Sequence, residues 1–129
     1  MAGKCLLDTN IVIALFANEA GVIAQLQETD EIFVPSTVIG ELYYGARKSG
    51  RPEANQARID GFAASNTILS CDVETAYWYG VVKDELRRKG RPIPENDVWI
   101  AAIACQYDLT VVTRDEHFDQ VETLKVEAW

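Results

Sequence analysis

Long apolar runs are absent from this 129-residue sequence, and histidine is nearly so, with His117 alone. No stretch approaches the roughly 18 uninterrupted apolar residues of a membrane span, so no membrane association is expected. The opening MAGKCLLDTN runs straight into a strand-like pattern and lacks a signal-peptide layout. Cysteine is limited to Cys5, Cys71 and Cys105, an odd set without metal-site spacing. Each lies in or beside an apolar run, so buried reduced thiols and a cytoplasmic location are expected. Basic residues are outnumbered 12 to 20, and the net charge of −8 argues against nucleic-acid binding by bulk electrostatics. Repeats, low-complexity tracts and linkers are also missing. What remains, 48% apolar and 25% charged, is the composition of one globular domain over residues 1–129.

Short apolar runs alternate with helical patterns. KCLLD (4–8) reads as a buried strand, and NIVIALFAN and VIAQLQE as two short helices. EIFVP (31–35) is a second strand, followed by the helix STVIGELYYGARKSG with Ser36 as N-cap and Gly50 as stop. PEANQARIDGFAAS is a helix with Pro52 in an allowed first-turn position. TILSC is a third strand, and DVETAYWYGVVKDELRRKG a long helix from an Asp72 cap to Gly90. After the loop RPIPE comes the helix of NDVWIAAIACQY, for which Asn96 is the predicted N-cap. LTVVT is a fourth strand and LKVEA a fifth. Strands apolar on both faces, alternating with helices, specify a mainly parallel four- to five-stranded sheet between two helical layers, an α/β fold. Trp78 and Trp99, at helical spacing among apolar neighbours, read as core.

Four acids stand out. In open α/β sheets chemistry gathers at the carboxyl ends of strands, and Asp8 closes the first strand while Asp115 follows the fourth. Each also has a local explanation, Asp8 as a helix N-cap and Asp115 as a turn residue. Glu41 shares a helix side with Val38, Leu42 and Gly45, which places it inward or along a cleft edge. Asp97 has Ile100, Ala101 and Ala104 as helix neighbours. An unpaired buried carboxylate costs several kcal/mol. If the four converge, two carboxylates about 4 Å apart repel by roughly 4 kcal/mol at an effective dielectric of about 20. A cation among them relieves that repulsion, and an all-oxygen ligand set suits Mg²⁺ or Mn²⁺. The matching reaction is phosphodiester hydrolysis by metal-activated water.

LLDTN, VIGELYYGA, ENDVWIAAIA and LTVVTRDEHF, in this order and across nearly the whole chain, resemble the PIN-domain ribonucleases, in particular the VapC-type toxins of type II toxin–antitoxin pairs. The resemblance implies a PIN-like three-layer α/β/α fold and a Mg²⁺-dependent endoribonuclease, with Mn²⁺ able to substitute. It carries over Asp8, Glu41, Asp97 and Asp115 as metal-binding and catalytic acids, with Asp8 and Asp97 as direct ligands. Glu116 is the alternative source of the fourth acid. Thr9, Asn10 and Thr113 resemble the polar residues that hold waters or orient the acids. The implied reaction is in-line attack by a water that Glu41 or Asp115 orients, leaving a 5′-phosphate and a 3′-hydroxyl.

The resemblance also changes how charge is read. Nine of the twelve basic residues lie in two segments, Arg47 to Arg58 and Lys83 to Arg91. On pattern alone they are solvated helix ends; in an RNA-cutting toxin, Arg47, Lys48, Arg87, Arg88 and Arg114 become expected phosphate contacts. Implied partners are RNA, a cognate VapB-like antitoxin and a second copy of the chain, with LYYGA and the N-terminal helices as contact surfaces. Two other classes compete. An aspartate-nucleophile phosphotransferase needs a second Asp where Asn10 stands. A catalytically weak PIN-fold module that binds RNA or protein is the alternative that intact acids oppose. His117, in DEHFD, reads as a surface or supporting residue.

Overall fold

The chain's first strand, β1 (Lys4–Leu7), buries Cys5, Leu6 and Leu7 almost completely, as a strand covered on both faces must. The computed structural model describes residues 3–129. After β1 come α1 (Thr9–Phe16), α2 (Ala20–Gln27), β2 (Glu31–Pro35), α3 (Ser36–Arg47), α4 (Pro52–Ser65) and β3 (Thr67–Leu69). The second half comprises α5 (Val73–Lys89), α6 (Glu95–Tyr107), β4 (Thr110–Val112), a short 3-10 helix (Glu116–Gln120) and β5 (Lys125–Glu127). The five strands form one sheet in the order β3-β2-β1-β4-β5, and every pairing is parallel.

This order positions the site. From β1 the chain builds outward to β2 and β3 on one side, then returns to add β4 and β5 on the other. The direction reverses between β1 and β4, and in open α/β sheets a crevice opens at the carboxyl ends of such a strand pair. Leu7 is in register with Val112, so Asp8 and Thr113 leave the sheet side by side.

Local chemistry explains the helix ends. Asp72 caps α5 by accepting from Thr75 N–H at 3.0 Å, and Thr75 Oγ1 accepts from Asp72 N–H, a reciprocal capping box. Gly90 ends α5 at φ 65°, where a Cβ is strained. Gly90→Ala should therefore destabilise the fold by about 1 kcal/mol, and Gly90→Asn by less, as urea unfolding would show.

Several sequence expectations need correction. Ser36 does not cap α3; Pro35, held extended by β2, occupies that position, and Ser36 is already helical. Asn96 does not cap α6 either. Pro94 stands at the cap with no side-chain bond, and helix begins at Glu95, leaving Asn96 exposed on the first turn. Cys5 is buried and Cys105 half-buried, but Cys71 is exposed because the strand ends before it, at Leu69. Trp78 and Trp99 are half-buried, Trp99 stacking on Tyr79 with ring centroids 4.2 Å apart. The central core is carried by α6, whose Val98 and Ile100–Ala104 are buried, with β1, β4 and Phe118.

Candidate active site

Asp8 stands at the carboxyl end of β1 and is 5% exposed. Its Oδ1 accepts from Thr9 N–H at 2.8 Å, making it the N-cap of α1, and its Oδ2 accepts from Thr113 Oγ1 at 2.7 Å. Thr113 Oγ1 in turn accepts from Asp115 N–H at 2.9 Å. One hydroxyl thus ties the end of β1 to the loop after β4. Asn10 Oδ1 secures the same loop by accepting from Arg114 N–H at 3.2 Å. Thr9 links outward, its Oγ1 donating to Glu41 Oε1 at 3.0 Å.

Asp97 lies on the first turn of α6, 9% exposed, yet its side chain does not cap that helix. It faces His117. His117 Nδ1 sits 3.1 Å from Asp97 Oδ2 and 2.9 Å from Asp115 Oδ1, and these three side chains present ligand atoms within 4.8 Å of one another. Asp115 also caps the 3-10 helix, accepting from His117 N–H at 3.0 Å. Glu116 is exposed beside them in an open cleft of ≈ 500 Å³ that Asn10, Arg114, Asp115 and His117 also line.

The four acids therefore divide. Asp97 and Asp115 meet around His117; Asp8 is near enough for its charge to be felt by Asp97. Glu41 is exposed and does not point into the core; it lines a separate groove and is bonded to Thr9, the residue after Asp8. Its helix side is partly open because Gly45 leaves space and the neighbouring groove, ≈ 270 Å³ between α1, α3 and α4, is unfilled by the chain's own side chains.

The electrostatics record the crowding. Burial, then the negative charges of Asp8 and Asp115, push Asp97 up to about 6, against the hydrogen bond to His117. Burial likewise raises Asp8, opposed by its bonds to Thr113 and Thr9. His117 is raised, first by its bond to Asp97 and then by both acids, against a smaller desolvation effect. A carboxyl raised on folding holds its proton more tightly in the native state. Its stabilising effect is full below the ordinary 3.8 and lost as pH rises through about 6. His117 acts in the same direction, stabilising below 6.5 and losing that contribution as pH rises through its raised value. The ion-free protein should therefore lose melting temperature relative to Asp97→Asn as pH rises from about 4 to about 6, and Mg²⁺ should restore more at the higher pH. Scanning calorimetry of both proteins checks this.

The donor set fits a divalent cation: two carboxylates and an imidazole converge, with a third carboxylate, Asp8, close enough to act on Asp97. His117, read from the sequence as a surface or supporting residue, is exposed and stands between the two acids. The available signal was its position two residues after Asp115, close enough for a tight turn to fold it back.

The basic residues are differently occupied. Arg114 donates through Nε to Trp129 O at 2.9 Å and through NH1 and NH2 to Glu19 at 3.1 and 2.8 Å, fastening the chain end to the start of α2. Arg87 and Arg88 both pair with Asp84, at 2.8 and 3.1 Å, on an exposed helix face. Lys48 lies over the Tyr44 ring at 4.3 Å, and Arg47 is exposed. Of the two segments, the one at the end of α5 runs toward the acids. Arg91 and Ile93 share a cleft with Glu116, His117 and Gln120.

Residues 5–124 match the PIN domain family model. "Ribonuclease VapC2" of Haemophilus influenzae is 39% identical, covering 98% of each chain. "tRNA(fMet)-specific endonuclease VapC" of Shigella flexneri is 35% identical over the same share. Among solved structures, DNA-bound VapBC from Salmonella typhimurium aligns at TM-score 0.90 with 32% identity, and VapBC2 from Rickettsia felis bound to a promoter DNA fragment at 0.89 with 30%; each alignment covers 98% of both chains. With its parallel sheet, its acids at the β1/β4 crevice and this likeness along almost its full length, the chain belongs to the PIN-domain family, among the VapC ribonucleases of toxin–antitoxin systems.

Proposed function

We propose that this protein is the endoribonuclease toxin of a toxin–antitoxin pair, hydrolysing RNA phosphodiester bonds with Mg²⁺, for which Mn²⁺ can substitute, in the cytoplasm. The observation that carries the reading is the meeting of Asp97, Asp115 and His117 at the carboxyl end of the sheet, with the charge of Asp8 felt by Asp97. Asp8, Asp97 and Asp115 would hold the ion, with Asp8 kept in place by Thr9 and Thr113. A bound divalent ion supplies charge neutralisation at the scissile phosphate and a water made acidic enough to attack. Glu41 is suited to receive the attacking water's proton: it is exposed, and Thr9, the residue after Asp8, orients it through Oε1.

Partners follow from the surfaces beside this site. The groove between α1, α3 and α4 is lined by Ile13, Phe16, Leu42, Ala46 and Ile59 and ends at Thr9 and Glu41. An antitoxin segment laying apolar side chains there reaches the acids with its next few residues, where a basic side chain would replace the ion's charge. A homodimer is supported by an apolar stripe on α5, where Val73, Tyr77 and Val81 are 88%, 65% and 41% exposed at successive helical turns. RNA would approach over the end of α5. Charge reversal at Arg87 and Arg88 should weaken RNA binding and flatten its salt dependence while leaving Mn²⁺ affinity unchanged. Fluorescence anisotropy with labelled RNA at several salt concentrations measures this.

Incubation of the purified protein with initiator tRNA, the substrate in the Shigella flexneri relative's name, and with total RNA tests the activity. Cleavage should require Mg²⁺ or Mn²⁺ and stop in EDTA. Full activity in EDTA would sink the metal reading, and ion binding without cleavage of any RNA would favour a binding module.

A further inference from the structure

We propose that His117 is itself a ligand of the divalent ion and that its imidazole nitrogen biases the site toward Mn²⁺ over Mg²⁺. The inference deepens the nuclease reading and rests on it. Nδ1 lies 2.9 Å from Asp115 Oδ1 and 3.1 Å from Asp97 Oδ2. Adjacent ligands of an octahedral ion with bonds of ~2.1 Å stand ~3.0 Å apart. Nδ1 therefore already stands at the spacing of a neighbouring ligand from each carboxylate oxygen, and the three atoms lie within 4.8 Å of one another. An ion held by these residues would take the place of any hydrogen that Nδ1 shares with the carboxylates. The Nδ1 lone pair forms the new bond, and the displaced proton passes to Nε2 or to water.

The ring is delivered by structure rather than by chance contact. His117 stands on the 3-10 helix, whose next residue, Phe118, is fully buried, and its own N–H is fixed to Asp115 Oδ1. At 48% side-chain exposure it still faces an open cleft through which an ion can enter. Asp8 is held differently: both of its oxygens already accept hydrogen bonds from Thr9 and Thr113. A nitrogen donor matters for ion choice because Mg²⁺ favours hard oxygen ligands, whereas imidazole suits first-row transition ions. The carboxylates serve both ions; His117 distinguishes them.

Because His117 is the sole histidine, tag-free protein carries one possible source of an imidazole signal. Mn²⁺ is titrated into wild-type protein, His117→Gln and Asp97→Asn, with free Mn²⁺ followed by electron paramagnetic resonance and bound Mn²⁺ examined for ¹⁴N coupling by electron spin-echo modulation. The wild type should show the coupling of a directly bound imidazole. His117→Gln should lose it and bind Mn²⁺ roughly tenfold or more weakly, with Mg²⁺ affinity, measured by competition, nearly unchanged. Circular dichroism establishes that the variant, altered at a half-exposed position, is folded. Mn²⁺ bound without imidazole coupling, or an unaltered signal in His117→Gln, overturns the proposal. If Asp97→Asn then still abolishes binding, the nuclease site stands and only His117's role falls. Failure of the wild type to bind Mn²⁺ or Mg²⁺ overturns both.

Discussion

Asp97→Asn should lower RNA cleavage by at least about a hundredfold, since even outer partners of a metal site are worth roughly 10–100-fold. The same substitution should raise the stability of the ion-free protein near neutral pH. Asparagine nearly matches aspartate in shape, so α6 keeps its packing. It removes, however, a carboxylate that burial and the charges of Asp8 and Asp115 have pushed up to about 6. That carboxylate is ionised at neutral pH against those forces, and the folded state bears the penalty. Opposite signs for activity and stability are what a ligand position predicts; a packing position would lose both. The measurement is paired: initial cleavage rates in Mg²⁺, and urea unfolding of the ion-free protein at the same pH. A variant that cleaves at the wild-type rate would remove Asp97 from the reaction.

The second large effect is on folding. Phe118 heads the fully buried side chains, and it belongs to the 3-10 helix that presents His117 and is capped by Asp115. Phe118→Ala should destabilise the protein by about 3–5 kcal/mol, the usual range for an aromatic removed from a packed core. Against a domain stability of about 5–15 kcal/mol, that is a large share. The change should reach the site before it reaches the whole fold. A five-residue helix has little stability of its own, and without its buried anchor Asp115 and His117 lose their placement. Mn²⁺ affinity should therefore fall in conditions where circular dichroism still reports native structure. Phe118→Leu refills most of the volume and should cost less than about 1.5 kcal/mol, with Mn²⁺ binding largely kept. Equal destabilisation by both variants would show that the anchor acts through something other than filled volume.

The same two positions mark how far local sequence carried. The strand and helix segments were legible because burial imposes a period of two or an apolar run on strands and roughly 3.6 on helices, and both are visible within a few residues. The Asp72 capping box, the Gly90 stop and the acid closing β1 were equally local. Cap assignments failed where a proline intervened: Pro35 and Pro94 hold extended backbone at the cap position, so Ser36 and Asn96 fall inside their helices. Of the two placements open to Glu41, inward or along a cleft edge, the structure takes the second, a choice that helix spacing could not make because it says nothing of whether another element covers that side.

By itself the sequence determined an alternating α/β order and put acids at the carboxyl ends of two strands, because backbone propensity, capping and hydrophobic period act over a few residues. Only the tertiary structure decided which acids meet. Pairing of β1 with β4 brings Thr113 Oγ1 to Asp8 across a separation of 105 residues. Packing of Phe118 then turns His117 back between Asp97 and Asp115. Contacts between carboxylates and their partners depend on distances of about 3 Å between elements far apart in the chain, and no local period encodes them.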